Sequence, residues 1–95
     1  MSRYVVLGNS GSGKSTLAAR AARESSLAHL DLDVLAWTGA KPPERRAVTD
    51  SARDIYAFAD AHDRWVIEGC YADLAQVAAT RCTHFVFLNL SLIHI

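Results

Sequence analysis

A short apolar run, Tyr4-Val5-Val6-Leu7, ends abruptly in GNSGSGKST (residues 8–16), and this junction constrains the fold more than any other stretch of the 95 residues. The run is β-branched or aromatic and bounded by glycine, which reads as a buried strand. From Gly13 to about Glu24 strong helix formers follow, with Leu17, Ala18, Ala21 and Ala22 on one face and Arg20, Arg23 and Glu24 mostly on the other. Gly8, Gly13, Lys14 and Ser15 match G-x-x-x-x-G-K-[ST] without a gap, a coincidence expected on the order of a few times in a thousand for so short a chain. Glycines let backbone N–H groups turn inward around a phosphate, the helix start adds the positive end of its dipole, and Lys14 adds a full charge. The expected nucleotide contacts are therefore Gly8, Asn9, Ser10, Gly11, Ser12, Gly13, Lys14, Ser15 and Thr16, with the Ser15 hydroxyl on Mg²⁺ and Thr16 near the α-phosphate. A flexible Gly/Ser linker would need neither the strand before nor the helix after.

Downstream, HLDLD (29–33) alternates apolar and polar residues and reads as a second strand, its acids sharing one face or closing its C-terminal end. WTGAKPPERR (37–46) is a loop, since its two adjacent prolines forbid a helix before them. Residues 47–63 place Val48, Ala52, Ile55 and Ala59 at helical spacing with Phe58 alongside, an amphipathic helix. RWVIE (64–68) is a third strand ended by Gly69, a short helix fits 73–79, and HFVFLNL (84–90) is a near-continuous apolar strand. Strands alternating with helices predict an α/β fold with a parallel sheet. In such sheets ligands bind beyond the carboxyl ends of the strands, where Gly8, Asp31 or Asp33, Glu68 and Asn89 are all expected.

Nucleotide-bound Mg²⁺ keeps several waters, and a carboxylate on a strand beside the phosphate loop usually holds them. Glu68, closing the apolar run Trp-Val-Ile, is the candidate; the bland alternative is a solvated acid at a strand end. Asp31 and Asp33, two residues apart, would both face the cleft, one assisting the metal and the other hydrogen-bonding an acceptor hydroxyl. The competing reading makes one a helix cap and the other a surface acid. Lys41, Arg45, Arg46 and Arg53 could grip an anionic acceptor, with Trp37 or Tyr71 facing it, although charged loops are more often simply solvated. His62 and His84 have no partner at catalytic spacing and read as structural, and Cys70 and Cys82 as reduced thiols.

Ten Lys plus Arg balance ten Asp plus Glu, which argues against direct nucleic-acid contact and leaves no global field toward an anionic membrane. No apolar stretch approaches the roughly 18 residues of a membrane span, and no secretory signal pattern opens the chain, so the cytoplasm is the expected compartment.

With residues 8–16, LDLD at 30–33, Ala36-Trp37 and WVIEGCY at 65–71 in view, the chain resembles the adenylate-kinase-like P-loop kinases. It is most similar to a bacterial branch labelled adenylate kinase-like, P-loop ATPase or DNA topology modulation protein, over about residues 3 to 90. The resemblance implies a three-layer P-loop NTPase core whose phosphate-loop strand lies between the strand ending at Glu68 and the strand 84–90. It implies Glu68 in the Walker B position, residues 37–63 as the acceptor-binding arm, and a pair, Asp31 and Asp33, that resembles the one in shikimate kinases, serving metal and acceptor respectively. Glu68 and Cys70 depart from the branch's usual Asp and Asn. The tail SLIHI (91–95) matches none of the branch's lid, fifth strand or closing helix, so a single partial domain over 1–95 is expected, catalytically impaired by itself.

The function implied is ATP- and Mg²⁺-dependent transfer of the γ-phosphoryl group to a small-molecule acceptor, with Lys14, Asp33 and Glu68 catalytic and Ser15, Asp31 and Glu68 at the metal. The rival is a nucleotide-binding regulatory ATPase with no small-molecule acceptor. Neither the acceptor nor the oligomeric state is legible in these residues.

Overall fold

The computed structural model describes residues 2–8, 14–37 and 44–88, with the side chains of 14, 15 and 88 outside that description. Four parallel strands, β1 (Arg3–Gly8), β2 (Ala28–Asp31), β3 (Trp65–Gly69) and β4 (His84–Leu88), form one sheet in the order β2-β3-β1-β4. Four helices connect them: α1 (Lys14–Ser25), α2 (Asp33–Ala36), α3 (Val48–Ala61) and α4 (Ala72–Ala79). The fold is α/β with the sheet predicted from the alternation, and β1 lies between β3 and β4 as the resemblance implied.

Strand alternation sorts the core into two layers. Val5 of β1 and Trp65 and Ile67 of β3 face α3 and α4, meeting Ile55, Ala59, Leu74, Ala75 and Ala78. Val6 and Val66 face α1 and meet Ala18, with Leu27 closing that layer. All five residues of β3 are buried, as expected of a strand covered on both sides. Trp65 is completely enclosed, although its indole N–H finds no acceptor among the described residues.

Two expectations need correction. The strand 29–33 ends at Asp31: Leu32 turns into the helical region (φ −63°, ψ −21°) and Asp33 opens α2. The cause is tertiary, because Leu32 is fully buried and its N–H donates to the Glu68 carbonyl at 2.8 Å. The helix expected over 47–63 spans Val48–Ala61, and its inward face carries Ser51, Ile55 and Ala59, while Val48 is exposed. Ser51 is buried because its hydroxyl donates to the Leu35 carbonyl (2.8 Å), one of the orphan acceptors at the end of α2. Asn89 and the tail 91–95 lie outside the described residues.

Helix α1 ends in a Schellman-type turn: Ser26 takes a left-handed conformation (φ 56°) and the Leu27 N–H returns to the Ala22 carbonyl at 2.9 Å. Serine there costs about 1 kcal/mol that glycine avoids, so Ser26→Gly is expected to raise stability by about that amount in chemical denaturation. Gly69 has the opposite constraint, because a Cβ on it would stand 2.7 Å from the Leu32 Cβ and 2.9 Å from its Cδ1. Gly69→Ala is therefore expected to cost about 1–3 kcal/mol by overpacking, read in the same measurement.

Candidate functional site

Parallel pairing brings the ends of all four strands to one edge. Gly8 ends β1, and the phosphate-loop residues Asn9, Ser10, Gly11, Ser12 and Gly13 that follow lie outside the described residues, as does Lys41. Lys14 and Ser15 open α1, and Thr16 in its first turn is exposed. Glu68 on β3 stands opposite Val6 of β1 and opposite Asp31 of β2. Alternation puts Glu68 on the α1 side of the sheet, the side of Val66.

Glu68 is 1% exposed, which rules out the solvated strand-end reading. A carboxylate so withdrawn from water requires donors, and one is His29, whose Nε2 lies 3.1 Å from Oε2. Residue spacing alone does not single out His29. Its signal was present in the alternation His29-Leu30-Asp31, which sets the imidazole on the face of Asp31. What was missing was the register, Asp31 opposite Glu68, that brings that face to the buried acid.

Asp31 and Asp33 diverge. The Asp31 Oδ1 accepts the Asp33 N–H at 2.9 Å, fastening the first turn of α2. Asp33 is exposed and points to another group: the Tyr71 hydroxyl donates to its Oδ1 at 2.6 Å, and the Trp37 indole N–H donates to the same hydroxyl at 3.0 Å. The Arg45 guanidinium lies 4.6 Å over the Tyr71 ring and pairs with Asp73 at 3.1 Å. An antiparallel bridge between Trp37 and Arg45 closes the base of the proline-containing loop. Trp37, Tyr71, Asp33 and Arg45 thus form one cluster between the arm and the β3–α4 junction.

The other candidate cations are differently engaged. Arg46 pairs with Asp54 at 2.9 Å and donates to the Leu35 carbonyl at 3.2 Å, bracing α2 against α3 rather than standing open to an acceptor. Arg53 approaches Asp50 only at 4.0 Å on an exposed surface. His62 Nδ1 lies 3.0 Å from the Phe58 carbonyl, and His84 stacks on Tyr4 at 5.0 Å. Cys70 and Cys82 are free thiols.

Among the described residues no three His, Cys, Asp or Glu side chains gather into a metal cage, and no helix is long and apolar enough to cross a membrane. Nucleotide-bound Mg²⁺ draws on one or two carboxylates plus phosphate oxygens rather than such a cage. A buried carboxylate on the strand beside the phosphate-loop strand suits that requirement.

Comparison with known proteins adds three findings. A family model described as AAA domain matches residues 4–91. Among solved structures, a gluconokinase from Sinorhizobium meliloti 1021 superposes with a TM-score of 0.55 at 20% identity, over 90% of this chain and 56% of that one. The chain thus spans a little over half the length of that structure, whose likeness establishes a P-loop kinase-like fold. No curated protein matches.

Asp33, by accepting the phenol's hydrogen bond, raises the Tyr71 pKa above its ordinary 10.0, and burial adds to the effect. A raised pKa means the fold favours the neutral phenol. The linked stability is full below pH 10.0 and is lost as pH rises through the folded value. In an ultraviolet phenolate titration of the three tyrosines, Tyr71 is expected to ionise above the ordinary range, and Asp33→Asn to bring it back. An unchanged profile would contradict the cluster.

Proposed function

This chain belongs to the AAA domain family, and from that premise we propose that it is an ATP- and Mg²⁺-dependent P-loop kinase acting on a small hydroxylated acceptor. The observation that carries the reading is the G-x-x-x-x-G-K-[ST] pattern between the end of β1 and the start of α1, with a buried acid on the adjacent strand. The backbone of residues 8–13 and the Lys14 ammonium hold the β- and γ-phosphates, and Ser15 and Glu68 serve the metal and its waters, with Asp31 beside them. Held by these residues, Mg²⁺ would supply positive charge to offset the charge on the phosphate groups.

The acceptor lies near Asp33 and the arm 37–53. Its oxygen attacks the γ-phosphorus as the bond to the β,γ-bridging oxygen breaks, ADP leaves, and the hydroxyl proton passes to Asp33. Asp33 is exposed and already accepts one hydroxyl, that of Tyr71, which supports this assignment. Gluconate, the acceptor in the name of the similar structure, is the first compound to try. The cytoplasm is the expected site of action.

Calorimetric titration with Mg-ATP tests the nucleotide half of the reading. Wild type should bind, and Lys14→Ala should weaken binding by about 10-fold or more, the worth of a charge-assisted phosphate contact. Binding indifferent to Lys14 would sink the assignment.

A further inference from the structure

Glu68 has one more side-chain torsion than aspartate, and its carboxylate is 1% exposed on a strand buried on both faces. A buried carboxylate on a longer stem is useful to a metal's water shell only if something fixes its plane. His29 is placed to do so. It lies on β2, the edge strand beside β3, with its Nε2 3.1 Å from the Glu68 Oε2. A carboxylate accepts only, so the Nε2 carries the proton and donates. The imidazole side chain remains 29% exposed, so it forms the outer wall of the acid rather than part of the core.

From this geometry we infer that His29 is a positioning residue for Glu68, holding its Oε2 and so setting the plane in which the carboxylate meets the water shell of nucleotide-bound magnesium. The inference rests on the nucleotide reading above and extends it to a residue outside the phosphate loop. Partners of this kind orient a metal-serving group without touching the metal, and their loss typically weakens metal binding 10- to 100-fold.

Calorimetry on the full chain, with ATP titrated in the presence of Mg²⁺ and again with a chelator, separates the possibilities. His29→Phe keeps a ring and removes the donor; it should lower affinity for Mg-ATP by about 10-fold and leave metal-free ATP binding unchanged. His29→Gln, whose amide can donate, should recover most of the loss. In the Glu68→Gln background His29→Phe should add nothing further, because the group it orients no longer carries the charge. Equal loss with and without metal, no loss at all, or failure of glutamine to rescue would each overturn the inference while nucleotide binding stands. If wild type binds neither form of ATP, the nucleotide reading falls and the inference with it.

Discussion

The contact on which the site depends is between Leu32 and the bare Cα of Gly69. It joins the end of β2 to the end of β3 at a separation that a Cβ at position 69 could share only if Leu32 shifted, and the Leu32 N–H bond to the Glu68 carbonyl completes it. Three consequences follow from that one approach. The chain leaves the sheet after Asp31, Asp33 becomes the first residue of a short helix, and the Glu68 backbone is fixed while its side chain projects to the opposite face. Glu68 and Asp33, the two acids to which we assign different roles in the proposed reaction, are thereby set apart at the end of β3 and the start of α2.

That division has an electrostatic side. Glu68 is sealed from water and depends on its partners, so each is worth more than a surface contact would be. Asp33, Arg45 and Asp73 are exposed, and ion pairs there contribute about 0–1 kcal/mol. At Glu68 the solvation of the carboxylate has been replaced by protein. The cluster around Asp33 is held by weak, solvent-exposed bonds, which exchange at low cost.

Much of the fold was legible because its signals are local. The phosphate-loop pattern, the apolar runs of β1, β3 and β4 and the helix formers of α1 each declare themselves within a few residues, and their alternation implies a parallel sheet. The misreadings share a different cause. Asp33 was placed on a strand because alternation continues through it, yet the strand's end is set by Leu32 meeting Gly69, 37 positions away. Val48 shares the helical spacing of Ile55 and Ala59, yet the buried place in the first turns of α3 goes to Ser51, whose hydroxyl donates to the Leu35 carbonyl. His29 was overlooked because its importance arises only from the pairing of β2 with β3. Sequence patterns report what a residue prefers locally, and these three positions are decided by a neighbour's unmet need.

The chain's two tryptophans occupy opposite extremes of environment: Trp65 is 0% exposed in the core, and Trp37 is 41% exposed at the base of the arm. The molecule therefore carries two intrinsic optical reporters on separate parts of the structure. Emission from the enclosed indole follows cooperative loss of the core. Emission from the outer one, together with its access to a soluble quencher, follows the arm's attachment to Tyr71. Release of Trp37 from Tyr71 and melting of the whole are thus distinguishable in a single unlabelled sample.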